Sequence, residues 1–202
     1  MSIFFWRRDK KKDFWEWFAS NKPKLEKFID SEERDYSIYT EFTRQLHKFD
    51  KRIFPEIGHD KGGPYVLIIT PDGKREGIEP TREIVASNPG FDNWEVKRFR
   101  QPKDHISMDY EGVAFESSDI EILTNLDKEA EKVHVLLCIR NMNTDERKYK
   151  TLAFLYLDHI LGEFNTVTKV GQIEFKHLDP GKTARNSIDL LQLRKLIEVE
   201  LY

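Results

Sequence analysis

Four side chains with metal-ligand chemistry lie around one predicted helix end: Asp158, His159, Glu163 and His177. Carboxylates and imidazoles bind zinc and similar divalent ions, and the spacing of His159 and Glu163 would place both on one helix face. However, adjacent helix positions differ by about 100°, so Asp158 and His159 should point apart. Gly162 should also end the helix between His159 and Glu163. We therefore predict neither a metal nor a catalytic residue, and keep a metal-dependent hydrolase using these four residues as the alternative.

A second candidate site consists of basic residues on and after a predicted half-buried strand: Lys97, Arg98, Arg100 and Lys103. Such a cluster could contact a phosphate backbone, which makes nucleic-acid binding a further alternative. Positive charge on an exposed edge strand also prevents aggregation, so the pattern does not require a ligand. The chain has a net charge of −3 and no overall positive field, which disfavours nucleic acid as a partner.

Composition indicates a globular protein rather than a disordered or membrane-spanning one. The chain has 202 residues, of which 39% are hydrophobic and 34% charged, enough to bury a core without disulfides. Cys138, the only cysteine, should be a buried thiol in an apolar strand. No signal peptide and no run of about 18 apolar residues is seen, so we expect a cytoplasmic protein. The basic, aromatic N-terminus is interpreted as leading into a docked helix rather than as a phosphate-binding or membrane-binding segment.

The strongest structural pattern covers residues 149–175. Its apolar residues recur at helical spacing and predict a core-facing helix, followed by a glycine stop and a strand from Val167 to Phe175. The members of this stripe are Tyr149, Leu152, Ala153, Tyr156, Leu157, Ile160, Leu161 and Phe164. Asn143 and Glu146 have the spacing of a capping box at the start of the helix.

The rest of the chain predicts helices first and strands later. A short helix capped by Asp13 should end before Pro23, and a longer helix should run from Asp35 to Phe54. Residues 56–70 resemble a β-hairpin, residues 80–85 a short helix, and residues 94–140 several strands. The prediction is an α+β fold with N-terminal helices packed on a mostly antiparallel mixed sheet, two inserted helices and a C-terminal helix. A helical segment, 1–54, and a sheet domain, 55–202, should share one core.

Two blocks of sequence resemble a family of bacterial proteins that carry a domain of unknown function. The first block is PYVLIITPDGKREGIEPTREIVASNPGFDNWEV and the second is AFLYLDHILGEFNTVTKVGQIEF. Leu157, Asp158, Leu161, Gly162 and Glu163 match the family's Leu-Asp-x-x-Leu-Gly-Glu helix end, and the resemblance assigns them no role. Related domains accompany a module similar to inhibitors of ribonuclease E, which implies regulation by protein contact.

The absence of a reactive constellation together with a complete folded domain favours a non-enzymatic function. We expect a cytoplasmic protein-binding or regulatory module, of the inhibitor or immunity type, whose partner is another protein and which needs no cofactor.

Overall fold

The computed structural model describes residues 9–59, 62–114, 116–140, 142, 146–179 and 181–202. The chain forms two compact units, which divide after Phe99. The described residues contain six α-helices and eight strands, which confirms the predicted α+β class. They also contain two hydrophobic clusters, one in each unit. The predicted division after residue 54 does not coincide with the boundary of the compact units, and the assignment of domains stays a prediction.

The first unit places two helices before a three-stranded sheet. Its elements are α1 (Lys10–Asp30), α2 (Tyr36–Phe49), β1 (Phe54–His59), β2 (Tyr65–Thr70), α3 (Ile78–Ala86) and β3 (Trp94–Arg98). The hairpin β1–β2 is antiparallel, as predicted, and β3 pairs parallel to β2 after the α3 crossover. The core of this unit is largely aromatic, with Phe14, Phe18 and Phe42 at its centre.

One continuous helix, α1, replaces the two short helices predicted around Pro23. Asp9, rather than Asp13, is its N-cap, and accepts hydrogen bonds from the backbone of the first turn. Pro23 lies inside this helix, although proline removes a backbone donor there. The helix continues because both halves bury residues of one stripe, including Phe18 and Leu25, each 0% exposed. Tertiary burial therefore outweighs the local cost of the proline.

The described part of the second unit contains five strands, arranged in two sheets, and three α-helices. Its elements are β4 (Asp109–Tyr110), β5 (Val113–Ala114), β6 (Ile120–Asp127), β7 (Lys132–Arg140), α4 (Glu146–Leu161), α5 (Glu163–Lys169), β8 (Val170–Leu178) and α6 (Leu190–Glu200). Strands β4 and β5 form an antiparallel pair, and the other three form a sheet in the order β6–β7–β8. Strand β7 pairs antiparallel with β6 and parallel with β8.

Both three-stranded sheets have the same topology, an antiparallel hairpin followed by a helical crossover to a parallel third strand. A parallel pair needs such a crossover because the chain must return to the starting edge of the sheet. Three of the five strand pairs among the described residues are antiparallel, which agrees with the predicted mostly antiparallel, mixed pairing, but the strands form separate sheets, and each three-stranded sheet has one parallel pair. Sequence periodicity could not show this, because strand direction depends on connections rather than on local pattern.

The predicted stripe of α4 is buried as expected from Tyr149 to Leu161, and Leu157 is 0% exposed. Gly162 ends the helix with a positive φ of 79°, which confirms its predicted role. A second helix, α5, then occupies residues that the sequence assigned to the strand, so β8 begins at Val170 rather than at Val167. The predicted cap Asn143 lies outside the described residues.

Candidate functional site

Three of the residues selected from sequence meet in one buried ionic cluster of the second unit. The Arg100 guanidinium donates through Nη1 to Asp158 Oδ2 at 3.2 Å and lies 3.7 Å from Glu163 Oε1. The Arg100 backbone N–H also donates to Glu163 Oε2 at 3.2 Å. The side chain of Glu163 is 0% exposed and that of Asp158 is 14% exposed. Buried carboxylates need a paired cation, and Arg100 supplies it.

The same region also provides hydrogen-bond donors for backbone carbonyl groups in the last turn of α4. The backbone N–H of Lys103 donates to His159 O at 2.7 Å, and Arg194 Nη1 donates to Ile160 O at 3.4 Å. The backbone N–H of Glu163 donates to Arg100 O at 3.0 Å. Since the last carbonyls of a helix have no partners within the helix, these contacts stabilise its end. The cluster therefore attaches residues 100–103 to the corner between α4 and α5 through ion pairs and backbone hydrogen bonds.

The four residues of the metal-site alternative do not form one cluster. His177 lies on β8, where its Nδ1 is 2.8 Å from Met142 O and its Nε2 is 3.3 Å from Asp179 Oδ1. Asp158 and Glu163 face Arg100, while the backbone carbonyl of His159 accepts a hydrogen bond from the backbone of Lys103. Within the described ranges, no group of three or more His, Cys, Asp or Glu side chains could hold a metal ion.

The four basic residues selected from sequence have different surroundings. Lys97 Nζ is paired with Glu95 Oε2 at 2.9 Å, and Arg100 belongs to the ionic cluster. Arg98 and Lys103 are exposed, and they belong to different units. Arg100 is thus neutralised by carboxylates instead of being displayed for a phosphate. The basic residues at positions 7 and 8 lie outside the described residues.

Cys138 is buried as predicted, with 1% exposure on β7. Burial raises the pKa of its thiol, because the thiolate is poorly solvated there. A raised pKa opposes the thiolate form that a nucleophile or a metal ligand requires. This residue therefore contributes to packing rather than to chemistry.

A groove between α1 and α2 forms a concave surface of the first unit, with a volume of about 740 Å³. Its floor is apolar and formed by Trp17, Phe28 and Ile38. Trp17 stacks on Phe42 of α2 with ring centroids 5.7 Å apart, so the floor is held by the aromatic core. We refer to this surface as the α1–α2 groove.

Charged residues border the α1–α2 groove on both sides. Lys24 and Lys27 line the α1 side and are exposed, and neither forms an ion pair within 4.0 Å in the part of the chain described. On the other side, the side chain of Asp35 caps α2, and Glu41 binds Arg44. Hydrogen bonds from Ser37 lower the pKa of Asp35, and the hydrogen bond from Arg44 lowers that of Glu41. Asp35 and Glu41 therefore already have hydrogen-bond partners, whereas Lys24, Lys27 and Glu33 form no ion pair within 4.0 Å in the described residues. The charge of Lys27 also contributes to the lowered pKa of Asp35.

This groove was not predicted, because the apolar periodicity of each helix identifies only its buried stripe. The sequence does contain a pattern for the groove-lining face of α1: Trp17, Asn21, Lys24 and Phe28 recur at spacings of three and four. Such spacing places side chains on one face. The pattern could not show that α2 leaves this face uncovered.

Comparisons of the chain with protein-family models, with curated proteins and with solved structures find no match in any of the three. The resemblance to a bacterial family therefore stays a prediction. Among the described residues, no helix combines the length and the apolar character needed to cross a bilayer.

Proposed function

We propose that this protein is a non-enzymatic regulatory module that binds another protein through the α1–α2 groove. The observation that carries the proposal is an aromatic floor beside two exposed lysines, Lys24 and Lys27, that lack ion-pair partners among the described residues. We expect a function of the inhibitor or immunity type, in which this surface contacts the partner protein in the cytoplasm.

The groove favours one kind of partner segment, an amphipathic helix with an acidic flank. Grooves between helices bind such helices through apolar residues spaced three and four apart. The floor of Trp17, Phe28 and Ile38 would receive these residues, and carboxylates on the flank would meet Lys24 and Lys27. The acidic residues across the groove disfavour a helix with carboxylates on both flanks, because Glu33 would repel the second one.

A small-molecule ligand is a poorer fit to this surface. Ligand pockets enclose most of the ligand and present a few convergent polar groups. The α1–α2 groove is open to solvent, and its polar groups come from exposed side chains on opposite rims. An elongated partner uses both the floor and the rims.

The test compares two double variants of equal charge change. Lys24→Glu with Lys27→Glu reverses the groove lysines, while Lys51→Glu with Lys74→Glu reverses exposed lysines of the same unit that do not line the groove. Wild type and both variants are used as bait in quantitative affinity purification from the source cells. A partner should be lost with the groove variant and retained with the control.

The purified partner then decides the mechanism. Its affinity should fall about tenfold or more for the groove variant, since exposed ion pairs are worth up to about 1 kcal/mol each. Reversing the acidic flank of the partner to lysine should restore binding to the groove variant only. A partner that binds both variants with wild-type affinity would remove the groove from the interface and end this proposal.

A further inference from the structure

The third strand of the second unit, β8, forms one edge of its sheet. It pairs with β7 on one side, and no strand of the described chain pairs with it on the other. Strand β8 has nine residues, from Val170 to Leu178. An edge of this length presents a row of backbone donors and acceptors that can pair with another strand.

A bulge near the start of β8 separates an irregular part of the strand from a regular one. Gln172 N–H donates to His134 Nδ1 of β7 at 3.0 Å, within the register shift between Val133 and Val135. From Ile173 to Leu178 the pairing with β7 is regular. Every second residue of this regular part therefore directs its N–H and C=O groups to the open edge.

Two exposed residues of β8 carry opposite charges and, being two positions apart, lie on the same face of the sheet. Glu174 and Lys176 are both exposed and flank Phe175. In an antiparallel pairing of β8 with itself centred on Phe175, Glu174 of each copy lies opposite Lys176 of the other. Opposite charges in directly facing positions stabilise a sheet, and like charges destabilise it. Centring the pair on any other residue from Ile173 to His177 places no Glu174 opposite a Lys176, so the charges favour this one register.

An exposed aromatic side chain lies beside the centre of that register. Phe154 of α4 is 44% exposed and packs edge-to-face on Phe175, with ring centroids 5.4 Å apart. Lys150 Nζ lies 5.4 Å from the centroid of the Phe175 ring. A second copy across the edge would cover Phe154 with the same α4 surface, as a two-fold interface requires.

We propose that this chain self-associates through β8, antiparallel and centred on Phe175, with a second copy as its partner. The interface contains two symmetric Glu174–Lys176 ion pairs and joins the three-stranded sheets of two copies into one continuous sheet. It lies in the second unit and does not involve the α1–α2 groove, so either proposal can fail without the other.

The test uses charge reversal followed by rescue. Mass is measured by light scattering after size exclusion over a range of protein concentrations. Wild type should show a concentration-dependent dimer. Glu174→Lys alone and Lys176→Glu alone should each weaken the dimer about tenfold to a hundredfold, because both symmetric pairs become repulsive.

Two further samples must regain the dimer. The double variant Glu174→Lys with Lys176→Glu restores opposite charges in both facing pairs. An equimolar mixture of the two single variants does the same between different chains. The control Lys195→Glu changes an exposed charge of α6 in the same unit and should leave the dimer intact.

Circular dichroism verifies that every variant is folded. A wild-type protein that stays monomeric at all concentrations would overturn the proposal. So would a dimer that tolerates either single reversal, or one that neither the double variant nor the mixture restores.

Discussion

Replacing Gly162 by alanine should destabilise the second unit by about 2–6 kcal/mol, the sum of two effects. The first is backbone strain, because φ is 79° and ψ is 146°, close to a region that only glycine populates. Such strain costs about 1–3 kcal/mol. The second is steric, because an added Cβ would lie 3.0 Å from Pro102 Cδ and 3.2 Å from Pro102 N. Overpacking of this kind costs about 1–3 kcal/mol.

The matched control is Gly181→Ala in the same unit. Gly181 also has a positive φ, of 75°, but an added Cβ there would have no atom within 4 Å. Its replacement should therefore cost only the backbone contribution, about 1–2 kcal/mol. The difference between the two variants isolates the contact with Pro102 and the less favourable ψ at Gly162.

Urea unfolding followed by circular dichroism measures both changes. Tryptophan fluorescence reports the first unit alone, since all four tryptophans (residues 6, 15, 17 and 94) precede residue 100. With a slope of about 2 kcal/mol per molar urea, Gly162→Ala should lower the midpoint by about 1–3 M. Equal midpoints for Gly162→Ala and Gly181→Ala would show that the close approach to Pro102 has no energetic consequence.

Three further outcomes follow from burial and hydrogen bonding. Leu157→Ala should lower the free energy of unfolding by about 2–5 kcal/mol in urea, because this side chain is fully buried. Phe154→Ala, at a largely exposed site, should lower it by less than half as much. Similar losses for the two variants would mean that the buried face of α4 is misassigned. The hydrogen bond to Asp30 raises the pKa of Tyr65 to about 12, so its stabilising contribution should be complete below the ordinary tyrosine pKa of about 10 and disappear as pH rises through about 12. Tyrosinate absorbance should show this late titration in wild type and an earlier one in Asp30→Asn, and an unchanged curve would contradict the assignment. Burial should make Cys138 react with a thiol reagent at least tenfold more slowly than in urea-unfolded protein, and equal rates would show that the thiol is accessible.

Local patterns in the sequence predicted several elements correctly because their causes are local. The stripe of α4 follows from a repeat of apolar residues, and the stop at Gly162 follows from the ease with which glycine adopts a positive φ. The hairpin β1–β2 likewise combines two short apolar strands with a turn. Pro23 was misread because the local rule ignores burial on both sides of it.

The candidate sites depended on contacts that no local pattern encodes. Asp158 and Glu163 were selected as possible metal ligands, but their partner is Arg100, whose contact with Asp158 spans 58 residues and that with Glu163 spans 63. Arg100 was a candidate in the nucleic-acid alternative for the same reason, since the sequence shows its charge but not its carboxylate neighbours.

The sequence by itself determined the α+β class, the buried face of α4 and the reversal at Gly162, because periodicity and backbone preference act within a few residues. Only the tertiary structure decided that β3 and β8 pair parallel to their neighbours, that Arg100 is neutralised, and that α1 and α2 leave an aromatic groove open. These features depend on which segments distant in sequence pack together. That packing is determined by the free energy of burying apolar surface rather than by local propensity.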